Sequence, residues 1–137
     1  MTHEELAFVN SLIGLPYKKG AQGQEEYDCW GVAAVIEQRL FGRTMPPISD
    51  PPENIRELME FVVEHPVRKL WKMIDGPVHG SLVEMSRNRD PFHIGVYLDV
   101  DDGGIIHSSN SGGVCWDRQV TLAASGWRRF TYHDWIG

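Results

Sequence analysis

The sequence predicts an α+β fold in which N-terminal helices pack on a mostly antiparallel β-sheet, and three observations carry that expectation. Apolar residues recur at helical spacing through the first half, as Leu6, Val9 and Ile13 and again as Val32, Val35, Ile36 and Leu40. The second half alternates with period two instead, most cleanly along His93-Ile94-Gly95-Val96-Tyr97-Leu98-Asp99. Glycine-rich turns, Asp101-Asp102-Gly103-Gly104 and Gly112-Gly113, cut that half into hairpin-length strands. Helices followed by a strand meander give a sheet with helices laid on it.

Each element follows from local chemistry. Thr2-x-x-Glu5 is a capping-box pattern that opens the first helix, and Gly14 ends its apolar stripe. Residues 15–27 read as a loop. Asp28 caps a second helix that begins at Cys29 and stops at Gly42. Pro46 and Pro47 keep residues 43–50 extended or irregular. Asp50-Pro51-Pro52-Glu53 repeats the capping logic, and Ile55, Leu58, Met59, Val62 and Val63 carry a helix over 51–64, expected to form one wall of a cleft. Strands are predicted at 81–85, 93–99, 105–109 and 114–120, with a final strand at 127–132.

Composition narrows the function. A chain of 137 residues, 42% hydrophobic and 23% charged, is one ordinary globular domain spanning 1–137. A net charge of -6 argues against nucleic-acid binding, which needs a basic footprint. No apolar run approaches membrane-spanning length, so no membrane partner is expected. Met-Thr-His-Glu-Glu is not the start of a signal peptide, and the expectation is a protein made in the cytoplasm. Cys29 and Cys115 form no disulfide framework.

Asp28-Cys29-Trp30-Gly31 concentrates the chemistry. A thiol at a helix N-terminus faces free backbone N–H groups and the positive end of the helix dipole, and both favour the nucleophilic thiolate. Period two sets His93 opposite the Ile94-Val96-Leu98 face, on the side where the Cys29 helix is expected to lie. His107, on the return strand, stands beside His93. A nucleophile, a base and an orienting group thus come from three separate elements.

Taken in order, Pro16-Tyr17, Asp28-Cys29-Trp30-Gly31, Gly80-Ser81, His93-Ile94-Gly95-Val96-Tyr97 and Ile106-His107-Ser108 resemble the pattern of the NlpC-type cell-wall cysteine peptidases, a papain-like family. The resemblance implies Cys29 as nucleophile, His93 as general base and His107 as the residue that orients it. It implies Tyr17 and Asp28 on the substrate side and a reaction without cofactor or metal; Trp30, a departure from the pattern, is expected at the cleft edge as a substrate-binding residue, or under the helix. The implied substrate is a peptidoglycan stem peptide, cut between γ-linked D-glutamate and a diamino acid.

Two departures stand out. Trp30 follows the cysteine where the secreted hydrolases have Ser, and Gly80-Ser81 replaces Gly-Asp. An unsecreted domain with a bulky residue after the cysteine resembles the phage-tail version of the family, which implies phage tail proteins as further partners and a virion location. Two other outcomes follow from the same resemblance: a non-catalytic tail assembly module that keeps the fold, or a peptidase that processes a virion protein.

Blander readings stand beside these. Cys29 alone could be a small buried hydrophobe, and His107 could simply hydrogen-bond across its hairpin. Tyr17 could be a packing aromatic and Asp28 only a cap. Cys29, His93 and His107 have zinc-type donors but no close ligand pair, and the Asp99-Asp101-Asp102 cluster lacks the spacing of a calcium loop. Cys115 reads as structural, and His3, His65, His79 and His133 read as solvated surface.

Overall fold

The computed structural model describes residues 1–18, 21, 25–45, 69–87 and 92–137. The expected helix over 51–64 lies outside the described residues. Helix α1, His3–Leu12, opens on the anticipated capping box, with the Thr2 side chain accepting from the Glu5 N–H and Glu5 accepting from the Thr2 N–H. Helix α2, Cys29–Phe41, is capped by Asp28 and closed by Gly42 in the left-handed conformation, as glycine at that position allows.

Six strands make one sheet: β1 (Trp71–Ile74), β2 (Leu82–Ser86), β3 (Phe92–Leu98), β4 (Gly104–Ser109), β5 (Gly113–Asp117) and β6 (Arg129–Trp135). Their spatial order is β1-β6-β2-β3-β4-β5, and each described pairing is antiparallel. β2 to β5 form the expected meander. Asp101, Asp102 and Gly103, all at positive φ, turn the chain between β3 and β4. Two elements differ from expectation. β1 was not anticipated, because Trp71-Lys72-Met73-Ile74 shows no alternation and gains its partner only from β6. The strand expected over 114–120 ends at Asp117, and a short helix α3, Gln119–Ala124, follows. Leu122 is its one buried residue, so α3 is fixed by a single apolar anchor that periodicity cannot register.

The sheet separates two apolar clusters. On one face Val9 and Leu12 of α1 and Trp30, Val32, Ala33 and Ile36 of α2 pack with Ile94, Val96, Leu98 and Ile106. On the other, Val83, Met85, Ile105, Leu122, Trp127 and Tyr132 come together. The body of α2 therefore lies on the Ile94-Val96-Leu98 face, not on the face of His93. This corrects the expected arrangement. The physical reason is apolar burial: α2 presents its own hydrophobic stripe, and the aliphatic face of β3 is its match.

One ionisable side chain is buried with the core. Glu37 of α2 is inaccessible to solvent, and Arg43 reaches its Oε2 at 3.3 Å while also donating to the Gly80 carbonyl at 3.0 Å. Oε1 of Glu37 finds no donor among the described residues. Burial pushes this carboxyl up to about 8, against the opposing pull of Arg43. No helix among the described residues is long and apolar enough to cross a membrane.

Candidate active site

Cys29 is the first residue of α2, where helix N–H groups have no internal partner. Asp28 takes one of them: its carboxylate accepts from the Gly31 N–H at 2.6 Å. The helix start is tied to the sheet by Ser108, whose buried hydroxyl donates to the Tyr27 carbonyl at 2.8 Å. Ser108 and His107 are neighbours on β4 and point to opposite faces. One residue therefore anchors the nucleophile segment while the next serves the imidazole pair.

The thiol lies against the backbone N–H of Ile94, the residue after His93. The thiol thus meets the start of β3 one residue from His93, and among the described residues no hydrogen bond joins thiol and imidazole. Burial is the main influence on Cys29 and pushes its thiol up to about 12; Asp28 adds to this, and the backbone N–H groups of Ile94, Trp30 and Cys29 oppose it more weakly. Burial thus works against the ready thiolate expected from the helix terminus. Desolvation of the sulfur opposes the helix terminus and favours the neutral thiol.

His93 and His107 form the contact their strands predict. Nε2 of His93 lies 2.9 Å from Nδ1 of His107, with the rings edge to face at 5.0 Å between centroids. Gly95 makes this possible: a Cβ there would stand 3.1 Å from the His107 Cβ and 2.7 Å from the Ile106 carbonyl oxygen. Both imidazoles are enclosed, with His93 7% and His107 3% exposed. Burial, followed by the neighbouring His107 and Arg87, pushes His93 down to about 3. His107 is lowered too, again first by burial, while the Asp117 carboxylate pulls the other way.

Asp117 extends the pair into a chain. Its Oδ2 lies 2.9 Å from Nε2 of His107. Burial shifts the His107 ring toward its neutral form, in which this contact is a hydrogen bond rather than an ion pair. A carboxylate only accepts, so His107 carries its proton on Nε2. Nδ1 of His107 is then a bare lone pair that accepts from the Nε2–H of His93. That leaves Nδ1 of His93 unprotonated and able to receive a proton. Asp117 thereby sets the tautomer of two rings in series.

Asp117 was missed by sequence reasoning. It stands in no motif, and only the register, Ile105 opposite Asp117 and His107 opposite Cys115, brings it to the face of His107. Trp127 was missed in the same way: its ring stacks on His93 at 5.0 Å and 18°, with the Arg87 guanidinium 4.4 Å from the Trp127 ring centre. It seals His93 from water.

The other anticipated residues divide. Tyr17 is half-buried, and its hydroxyl is raised by burial first and then by the nearby Cys29 and Asp28, so the three groups share one corner. Trp30, expected on the substrate side, is only 5% exposed and belongs to the core cluster. Successive helix residues turn by roughly 100°, which points the side chain after Cys29 into the sheet. His133, expected at the surface, is buried with its Nε2 3.5 Å from Glu84. His79 is partly buried and accepts from the Asp99 N–H at 2.9 Å. His65 lies outside the described residues.

A cysteine heading a helix that packs on an antiparallel sheet carrying a histidine is the layout of the papain-like cysteine peptidases. The model of the NlpC/P60 family matches residues 14–135, and the chain belongs to that family. Among solved structures it is similar to the NlpC/p60 domain of the peptidoglycan hydrolase SagA, at 15% identity over 93% of this chain and 94% of that one, with a TM-score of 0.57. It is also similar to NlpC2 from Trichomonas vaginalis, at 16% identity over 96% of this chain and 45% of that one, with a TM-score of 0.61. No curated protein sequence matches the chain at a significant level.

Proposed function

We propose that the protein is a thiol hydrolase acting on peptidoglycan stem peptides, with the γ-D-glutamyl–diamino acid amide as the bond cleaved. One observation carries the reading: the chain Asp117–His107–His93 leaves a bare imidazole nitrogen beside the strand residue against which the Cys29 thiol rests. In this mechanism Nδ1 of His93 takes the thiol proton as sulfur attacks the amide carbonyl. The proton then passes to the leaving amine, and water hydrolyses the thioester by the same route in reverse. Proton removal accompanies attack, because thiol and imidazole are both neutral beforehand.

The backbone N–H of Cys29 and the Tyr17 hydroxyl are donors suited to the oxyanion. Asp28 is suited to the free amine of the stem, a role compatible with its capping bond. A substrate must bring thiol and imidazole into hydrogen-bond reach, and such contacts commonly tighten only in the complex. Trp30 following the cysteine supports a phage or prophage tail as the setting, by resemblance; a gene lying far from tail genes would count against it.

The test is digestion of purified muropeptides, including free Ala-γ-Glu-diaminopimelate stems, by wild type and Cys29→Ala, read by mass spectrometry. A cut at the γ-glutamyl bond by wild type alone is expected. Cleavage that survives Cys29→Ala removes Cys29 as nucleophile. No cleavage of any stem by the folded wild type overturns the peptidoglycan assignment and favours a virion-protein substrate or a non-catalytic tail module.

A further inference from the structure

His107 and Cys115 are eight positions apart in the chain, yet they face one another across the β4–β5 ladder, and Asp117 lies two residues further on the same side of β5. A ligand atom from each of His107, Cys115 and Asp117 lies within 4.8 Å of the other two. Imidazole nitrogen, thiolate sulfur and carboxylate oxygen are the donors zinc prefers. His107 is buried while Cys115 and Asp117 keep some exposure, so the cluster opens to solvent on one side.

We propose that His107, Cys115 and Asp117 bind a zinc-class divalent ion, and that its occupation switches the peptidase off.

The geometry needs little adjustment. Tetrahedral zinc holds an imidazole nitrogen and a carboxylate oxygen ~3.3 Å apart, and a nitrogen and a sulfur ~3.6 Å apart. The His107–Asp117 contact of 2.9 Å therefore opens by about 0.4 Å. From a ceiling of 4.8 Å the thiol closes by roughly 1.2 Å at most. The Cys115 sulfur now donates to the Gly113 carbonyl at 3.2 Å, and releases that bond when it turns to the ion. Three protein ligands leave a fourth position for water or an outside donor.

Inhibition follows from proton placement. On binding, the Cys115 thiol loses its proton to solvent, and the metal takes the lone pair of His107 Nε2. Neutral His107 must then carry its proton on Nδ1, which turns that atom into a donor toward His93 Nε2. His93 responds by holding its own proton on Nδ1, the atom that would accept from Cys29. Both rings stay neutral, each with one proton, but the base has become an acid. The inhibitory half of the proposal rests on the peptidase reading above; the metal site does not.

Cobalt serves as the probe. In Cys29→Ala, which removes the other thiol, Co²⁺ is expected to saturate one site with a thiolate charge-transfer band and intense tetrahedral visible bands. In Cys29→Ala/Cys115→Ser that band is lost and affinity falls at least tenfold, and melting curves without metal verify that this variant is folded. Asp117→Asn in the Cys29→Ala background is a second ligand deletion and should weaken cobalt similarly. A charge-transfer band that persists without Cys115, or no band at all, overturns the site. For the switch, Zn²⁺ is titrated into wild type and Cys115→Ser during muropeptide cleavage. Equal basal rates are expected, with at least tenfold more zinc needed to inhibit the variant. Equal sensitivity overturns the switch. Should no cleavage be found, the cobalt result still decides the metal site and the failure belongs to the peptidase reading.

Discussion

Replacing Gly95 by alanine tests the central geometric premise, that the spacing of β3 and β4 holds His93 against His107. A Cβ at this position would stand 2.6 Å from Ile105 Cγ2 and 2.7 Å from the Ile106 carbonyl oxygen. The oxygen is main chain and cannot rotate away. Restoring an ordinary contact of 3.4 Å requires the strands to part by about 0.7 Å (3.4 − 2.7). The same displacement takes the His93–His107 contact from 2.9 Å to about 3.6 Å, outside hydrogen-bond range. Two effects should appear together. Overpacking of this kind costs about 1–3 kcal/mol. At about 4 °C per kcal/mol for a chain of this length, the melting temperature should fall by about 4–12 °C. Loss of the ring contact should lower kcat on muropeptides at least tenfold at temperatures where the variant is folded, a part of the ~10²–10⁴-fold that general base catalysis supplies. Calorimetry and initial rates read the two effects separately. A variant that melts like wild type and turns over like wild type refutes the spacing argument. One that is destabilised yet turns over normally shows that the His93–His107 contact does not matter for catalysis.

Three more outcomes follow. Asp117→Asn keeps the shape but can donate to His107 Nε2, which reverses the proton order in both rings; kcat should fall by roughly two orders of magnitude or more with KM little changed, by analogy with loss of the carboxylate in a serine-protease triad, and an unchanged kcat removes Asp117 as a positioning residue. Iodoacetamide at neutral pH should label Cys29 of the free protein no faster than an ordinary thiol, since burial holds it near 12, and rapid labelling at pH 6 would show a thiolate already present. Glu37 gives a stability slope of calculable sign. Its folded value of about 8 lies above the usual 4.5, so its stabilising contribution is complete below pH 4.5 and is lost as pH rises through 8. Across that window wild type should lose stability steadily relative to Glu37→Gln as pH rises, read from denaturant midpoints at a series of pH values. Parallel profiles for the two proteins would show that Glu37 is ionised in the folded state throughout.

The sequence shows local chemistry well and register poorly. Thr2, Asp28 and Gly42 mark helix ends because capping is decided within a few residues, and each is found in that role. The alternation in 93–99 identifies β3 and its two faces. It does not say which face the helix covers, because both neighbours of β3 are needed to decide that. His93 and His107 are legible as a pair because a short hairpin joins their strands. Asp117, Cys115 and Trp127 are not, since they reach the histidines only through the β4–β5 register and the packing of the segment before β6. The state of the Cys29 thiol is only half legible for a related reason: the helix terminus is visible in sequence, while the desolvation that opposes it is a property of the assembled core.

The position of β6 has a consequence for the birth of the protein. This strand, the last of the described elements in chain order, lies between β1 and β2, with Trp71 paired to Trp135 and Leu82 to His133. Until residue 135 has left the ribosome, β1 has no described partner and β2 has only β3. Trp127, which covers His93, arrives almost as late. These long-range pairings also slow closure of the sheet. A chain still being translated can therefore have Cys29 on a finished helix before the sheet and the cover of His93 are in place, and the surroundings of the imidazole pair are assembled only once residue 135 has emerged.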